Sequence, residues 1–92
     1  MIKSFAEKQT RALFETGKSR RWNSIARVAV RKLVQIDSVT LLDELNIPPG
    51  NRLEALQGDR AGQHSIRISD QWRICFRWES DDVYDVELVD YH

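Results

Sequence analysis

Three segments in the second half of the chain alternate apolar side chains with polar ones, as strands with one buried face do. Short polar connections separate them, and Ser69-Asp70-Gln71 is typical of a hairpin turn. The alternation predicts three antiparallel strands that turn one apolar face to a common core. The residues predicted for that face are Ile66, Ile68, Trp72, Ile74, Phe76, Trp78, Tyr84, Val86 and Leu88.

The opposite face of these strands is predicted to be basic. If the apolar residues all meet one core, then Arg67, Arg73, Arg77 and Tyr91 must share the other side of the sheet. Three guanidinium groups beside a phenol and the imidazole of His92 indicate a surface for a phosphate backbone and stacked bases.

The first half of the chain has the spacing of helices. Ser4 and Glu7 have the spacing of a capping box, which predicts a helix that ends at Gly17, a residue suited to a helix C-terminus. A second helix is predicted over residues 23–36, because apolar residues recur there every three or four positions. Its stripe consists of Trp22, Ile25, Ala29, Leu33 and Ile36.

The remaining elements are short. Residues 38–45 predict a further helical turn or two, which the prolines at 48–49 end. Residues 2–3 and 53–56 predict short strands, and two glycines within residues 58–62 indicate a turn. The order of elements predicts an α+β fold, in which a small antiparallel sheet carries two or three helices packed on one face.

The composition narrows the class of protein. A chain of 92 residues predicts a single domain over residues 1–92. Its one cysteine, Cys75, excludes an intramolecular disulfide and a cysteine-rich zinc site, and we expect no metal and no cofactor. The sequence has neither an apolar membrane segment nor the apolar stretch of a signal peptide, so we expect a soluble cytoplasmic protein.

A net charge of zero hides an uneven distribution of charge. Residues 1–34 contain nine Lys and Arg against two Glu, a net charge of +7, and residues 35–92 therefore carry −7. The basic helical half could meet an acidic partner or RNA phosphates, and its charges could equally form a solvated helix face.

Several motifs resemble one protein family. They are G-D-R-A-G at 58–62, Q-W-R-I-C-F-R-W at 71–78 and the terminal D-Y-H at 90–92. Residues 49–92 that contain them closely resemble HigB-type toxins of the RelE/ParE superfamily. The opening I-K-S-F and the A-L-F-E-T-G-K segment fit as well, so the resemblance covers essentially the whole chain.

The resemblance implies an activity and a set of active-site residues. It implies a type II toxin whose free sheet face enters the A site of the 70S ribosome, cleaves messenger RNA and stops translation and growth. Carried over residue by residue, it places Arg73, Asp90, Tyr91 and His92 in the active site. Some HigB proteins have histidine where this chain has Glu54. Either Glu54 does acid or base work there, or the active site has shifted and activity is weaker.

The residue types suit RNA cleavage without a metal. This reaction needs removal of the 2′-hydroxyl proton, stabilisation of the phosphorane charge and protonation of the 5′-oxygen. Arg73 suits the second task, because a guanidinium stays charged and binds two phosphate oxygens. His92 and Tyr91 can exchange or donate protons, and Asp90 can orient His92 or accept a proton. The arginines expected to bind RNA are Arg52, Arg60, Arg67 and Arg77.

The resemblance also implies a protein partner. HigB-type toxins are inhibited by HigA, a helix-turn-helix antitoxin, and contact operator DNA only through it. The basic helical half offers a surface for this antitoxin at Arg20, Arg21 and Arg27.

Other interpretations remain open at this point. The sheet arginines could form cross-strand ion pairs with Asp85 and Glu87, and Tyr91 and His92 could be a frayed terminus. A ParE-like toxin shares the fold but inhibits DNA gyrase, and an inactive partner-binding domain is a third possibility. His64 has the parity of the core residues, which predicts a core-edge position.

Overall fold

Two α-helices and a four-stranded antiparallel sheet form the computed structural model, which describes residues 1–91. The helices are α1 (Lys8–Thr16) and α2 (Ala26–Ser38), and three short 3-10 helices span Leu42–Asn46, Pro49–Asn51 and Gly58–Arg60. The strands are β1 (Glu54–Ala55), β2 (Gln63–Arg67), β3 (Trp72–Glu79) and β4 (Asp82–Asp90), in the order β1-β2-β3-β4. No helix within this range is long and apolar enough to cross a membrane. The predicted α+β fold is confirmed.

The core lies between the two helices and one face of the sheet. The predicted stripe of α2 is confirmed, because Trp22, Ala29, Leu33 and Ile36 are buried and Ile25 packs against them. Burial of these apolar side chains stabilises the packing of α2 on the sheet. The core residues of the sheet are Ile66, Ile68, Ile74, Phe76, Val83, Val86 and Leu88.

The capping box predicted for α1 is wrong. The helix begins at Lys8 after an N-cap Glu7 that makes no side-chain cap. The hydroxyl of Ser4 instead accepts the backbone N–H of Asp85 at 2.9 Å, on strand β4. The predicted end at Gly17 is confirmed, because this residue adopts a φ of 75° and its N–H donates to the Leu13 carbonyl at 2.8 Å.

The bounds of the second helix differ from the predicted 23–36. Ile25 has a φ of −118° and a ψ of 0°, so the regular helix starts only at Ala26 and continues to Ser38. The helix predicted over residues 38–45 is interrupted, since Val39 is extended and a 3-10 helix forms only from Leu42. The carboxylate of Glu44 accepts the backbone N–H groups just before that 3-10 helix and fixes its start.

A bulge in β4 overturns one face assignment. Asp85 has a φ of 56°, and the register between β3 and β4 shifts between Cys75 and Arg77. Val83 and Val86 are consequently both buried, whereas Tyr84 lies opposite Arg77 and on the same face as that arginine. The prediction that Tyr84 faces the core is therefore wrong.

The segment at residues 1–6 covers the outer edge of β4. Ile2 and Phe5 form isolated parallel bridges with Val83 and Val86. Four backbone hydrogen bonds of 2.7 to 3.2 Å join this segment to the same two valines. The strand predicted at residues 2–3 is thus reduced to single bridges that protect a sheet edge.

Candidate active site

Arg73 lies at the centre of the basic sheet face but is buried, with 7% of its surface exposed. Strand alternation turns it away from α1 and α2, so the helices do not cover it. Its Nε donates to Ser65 Oγ at 2.8 Å, and its Nη2 donates to the Arg52 carbonyl at 2.6 Å. Both contacts fix the plane of the guanidinium.

The loop over Arg73 is itself held in place. Arg52 follows the 3-10 helix Pro49–Asn51 and adopts a φ of 47°, which turns its carbonyl toward Arg73. Buried Asn51 donates to the Leu45 carbonyl at 3.1 Å and to Gln35 on α2 at 3.0 Å. The backbone of Arg52, rather than its guanidinium, therefore contacts the site, and its side chain stays exposed.

Two further predicted site residues lie beside Arg73. Glu54 Oε1 is 3.9 Å from Arg73 Nη2, and half of this side chain is exposed. The ring centroid of Tyr91 lies 5.6 Å from the Arg73 guanidinium carbon, within cation–π range. The Tyr91 N–H donates to the Gln71 carbonyl at 2.6 Å, so this residue is anchored rather than frayed. The structure thus brings together Arg73, Glu54 and Tyr91.

Asp90 occupies the rim of the sheet at the end of β4. It pairs with Trp72, and its Oδ2 accepts a hydrogen bond from Gln71 Nε2 at 3.1 Å. Alternation directs Asp90 toward the side of Trp72 and Tyr91 toward the side of Arg73. The prediction for His92 lies outside the described residues.

The other predicted RNA-binding arginines form ion pairs. Arg77 Nε lies 3.6 Å from Asp85 Oδ2, which confirms the cross-strand alternative for this arginine. Arg60 Nη2 lies 3.5 Å from Glu87 Oε1. We call Arg77, Asp85, Arg60 and Glu87 the paired end of the sheet face, where two guanidiniums match two carboxylates.

The opposite end of this face carries positive charge from an unexpected source. Arg67 lies directly opposite Arg73 in the register of β2 and β3. Lys32, with 9% of its surface exposed, donates from its Nζ to the Arg67 carbonyl. Burial lowers the pKa of Lys32 below its ordinary value, and Arg31, Arg67 and Arg73 lower this pKa further. Sequence reasoning missed Lys32, although its spacing places it on the buried face of α2.

Two further side chains lie on the sheet without a catalytic arrangement. Cys75 is fully buried, and burial raises the pKa of its thiol. His64 stacks on Phe76 with 6.2 Å between ring centroids, which confirms the predicted core-edge position. Among the described residues, no three His, Cys, Asp or Glu side chains lie close enough together to hold a metal ion.

The basic loop between α1 and α2 has one internally bound arginine. Arg21 lies 4.7 Å over the Trp22 ring and donates to Gln9 Oε1 at 2.6 Å. Arg20 and Arg27 are exposed, and Arg20 borders a cleft of about 500 Å³ together with Lys18. All three arginines predicted to bind an antitoxin are exposed, but only Arg21 is also held by contacts with Gln9, Glu7 and Trp22.

Known proteins resemble this chain in sequence and in fold. A family model described as the RelE-like toxin of the type II toxin–antitoxin system HigB matches residues 3–92. Toxin HigB-1 of Vibrio cholerae is 38% identical, over 85% of this chain and 84% of that protein. Endoribonuclease HigB of Proteus vulgaris is 38% identical over the whole length of both chains.

Solved toxin structures share the fold at low sequence identity. A chain in the heterotetrameric YoeB–YefM toxin–antitoxin complex of Staphylococcus aureus matches with a TM-score of 0.58 and 14% identity, over 100% of this chain and 98% of that chain. The YoeB/ParE toxin of Agrobacterium tumefaciens matches with a TM-score of 0.52 and 19% identity, over 99% of each chain. These two likenesses concern the fold alone.

Proposed function

Because the chain belongs to the RelE-like HigB toxins of type II toxin–antitoxin systems, we propose that it cleaves messenger RNA in the ribosomal A site. The chain is an endoribonuclease toxin, and its family membership does not favour the gyrase-inhibiting alternative. Cleavage on ribosomes would arrest translation and growth in the cytoplasm. The observation that carries the proposal is the fixed guanidinium of Arg73 beside Glu54 and Tyr91.

Arg73 is suited to stabilise the charge that develops on the scissile phosphate. Its contacts with Ser65 and Arg52 orient the guanidinium before RNA binds, so little reorganisation is needed in the transition state. Exclusion of water around a buried guanidinium strengthens its interaction with a phosphate oxygen. Tyr91 lies over this group and offers a ring on which a base can stack.

We assign removal of the 2′-hydroxyl proton to Glu54, a half-exposed carboxylate held close to Arg73. Tyr91 or His92 then donates a proton to the 5′-oxygen, and Asp90 supports this end of the strand. The 2′-oxygen attacks phosphorus as the bond to the 5′-oxygen breaks. The products are a 2′,3′-cyclic phosphate, which can open to a 3′-phosphate, and a 5′-hydroxyl.

Replacing Arg73 with alanine tests the activity. We expect R73A to lose about 10²- to 10³-fold in cleavage rate, the size of effect seen when a transition-state donor is removed. Arg11→Ala, an exposed arginine on α1, is the control and should cleave like wild type. Primer extension on translating ribosomes measures the cuts. Intact messages at growth-arresting doses, with inhibition in a supercoiling assay, would instead establish a gyrase toxin.

Replacing Glu54 separates its assigned role from a merely structural one. Glu54→Gln keeps the size of the side chain but removes the base, so we expect cleavage to fall by about 10²-fold or more. Glu54→His restores a proton acceptor and should recover part of the rate, with a shifted pH–rate profile. Full activity in E54Q would mean that another group accepts the proton.

An antitoxin is the partner of toxins in this family. We propose that it is a HigA-type helix-turn-helix protein and that it docks through Arg20, in the loop between the helices, and Arg27, on α2. We expect the antitoxin to meet these arginines with acidic groups. Charge reversal in R20E/R27E should then abolish co-purification, because the new glutamates would repel those acidic groups. Arg21 is left intact in this variant, since its contacts with Gln9 and Trp22 belong to the fold. Unchanged co-purification would refute this location.

A further inference from the structure

The edge of β2 beside Arg73 is held by a buried lysine. Strand β1 pairs with β2 only at His64 and Ser65, so it ends before Arg67. At that point the Lys32 ammonium reaches across from α2 and donates to the Arg67 carbonyl. Lys32 therefore satisfies an edge carbonyl and fixes the backbone from which the Arg67 side chain emerges.

Arg67 has a partner that RNA can replace. Its Nη2 forms an ion pair with Asp70 Oδ1 three positions further along the chain, and the Asp70 side chain is fully exposed. An exposed ion pair of this kind contributes little free energy, because water and salt screen it. A phosphate, which accepts two guanidinium hydrogen bonds, can displace the Asp70 carboxylate from Arg67.

The charges around this position favour an anion. Arg67 and Arg73 are directly opposite each other on the neighbouring strands β2 and β3, and the Cβ atoms of such opposed residues lie roughly 5 Å apart. Lys32 adds a third positive group beneath them; burial lowers its pKa most, and the neighbouring arginines lower it further. Two carboxylates, Asp70 beside Arg67 and Glu54 beside Arg73, face three cations here, whereas at the paired end Asp85 and Glu87 match Arg77 and Arg60 one to one.

We propose that Lys32 and Arg67 form a subsite for an RNA backbone phosphate adjacent to the one bound by Arg73. Arg67 contacts the phosphate, and Lys32 is a positioning residue that fixes the end of β2 and adds charge beneath it. Without RNA, the Asp70 carboxylate forms an ion pair with the Arg67 guanidinium, and the phosphate replaces it on binding. The subsite rests on the proposed function, since it gives the RNA a path along the β2 edge.

Binding of an uncleavable RNA tests the subsite apart from cleavage. A short oligoribonucleotide with 2′-O-methyl groups throughout lacks the attacking hydroxyl, so fluorescence anisotropy can follow its binding to the full chain at several salt concentrations. In R67Q, the slope of log affinity against log salt should fall in magnitude by about 0.7, the contribution of one phosphate contact to single-stranded RNA. Arg11→Gln removes the same charge from α1 and should leave the slope unchanged.

Asp70→Asn provides a change in the opposite direction. It frees Arg67 from its carboxylate partner, so we expect RNA to bind about two- to fivefold tighter, the factor that an exposed ion pair represents. Weaker or unchanged binding in D70N, or an unchanged slope in R67Q, would overturn the subsite.

The role of Lys32 is tested by measurements that a loss of stability alone would not change. K32M should reduce the salt slope and raise KM for programmed ribosomes while kcat stays within about twofold, because uniform binding is lost. K32R should retain both values, and Lys8→Met on α1 is the charge-matched control. A lowered melting temperature with unchanged slope and KM would make Lys32 structural and overturn its assigned role.

The two proposals fail in different ways. If wild type cuts messages but R67Q, D70N and K32M bind RNA as wild type does, the subsite is rejected and the nuclease stands. If wild type leaves messages intact on ribosomes, the proposed function is rejected, whatever the uncleavable RNA shows.

Discussion

Glu44 stabilises the start of a 3-10 helix through its charge. Its Oε1 accepts the N–H of Leu41 at 2.8 Å and of Thr40 at 2.9 Å, and these bonds lower the pKa of Glu44 below its ordinary value. A depressed carboxyl pKa stabilises the folded state above the ordinary pKa, and this stability is lost as pH falls through the lowered value.

We therefore expect Glu44→Gln to be less stable than wild type at neutral pH, with a difference that shrinks as the medium becomes acidic. Urea unfolding over a series of pH values measures it. A difference that stays constant into strong acid would show that the charge of Glu44 is not the cause.

The sequence predicted the sheet face of some site residues but not the contacts of others. Parity alone placed Arg73 and Tyr91 on one face, because alternation is a local property of a strand. Pairing of Arg77 with Asp85 was among the alternatives that alternation left open, but alternation could not foresee the bulge at Asp85 that shifts the register of β4. Lys32 escaped notice because a helix lysine normally extends into solvent, and only its long-range contact with Arg67 shows otherwise.

The C-terminus of α1 depends on a glycine that occupies a left-handed conformation. At Gly17, with a φ of 75°, an added Cβ would meet no atom within 4 Å, so only backbone strain opposes a side chain there. We expect Gly17→Ala to cost about 1 to 2 kcal/mol. Gly50→Ala is the control, because Gly50 also has open space but lacks a positive φ. Denaturant unfolding compares the two, and equal stabilities would contradict this account.

The elements themselves were predicted more reliably than their ends. The stripe of α2 and the alternation in β2 and β3 identified the core, because each pattern reports one buried face. The start of α1 was misplaced, since the hydroxyl expected to cap it accepts an N–H from the distant β4 instead. Local spacing cannot distinguish a cap from a tertiary contact, so helix ends need the folded structure.

One core connects the helices to the functional face of the sheet. Leu33 on α2 is fully buried within it, whereas the neighbouring Val34 is half exposed. We expect Leu33→Ala to cost about 2 to 5 kcal/mol and Val34→Ala less than about 0.5 kcal/mol. Thermal unfolding measures both. L33A should lose toxicity through unfolding. R73A also removes the hydrogen bonds to Ser65 and the Arg52 carbonyl, so it should melt below wild type, but the fraction that stays folded should still fail to cleave. Similar melting temperatures for L33A and V34A would contradict this picture of the core.

The pairing of residues 1–6 with β4 determines when the sheet can be completed during synthesis. Ile2 and Val83 are 81 positions apart, so a ribosome adding about 5 to 20 residues per second makes Val83 roughly 4 to 16 s after Ile2. Residues 1–6 therefore have no β4 to pair with during most of elongation. A fusion tag that holds this segment away from β4 would leave hydrogen-bonding groups of Val83 and Val86 open to another chain.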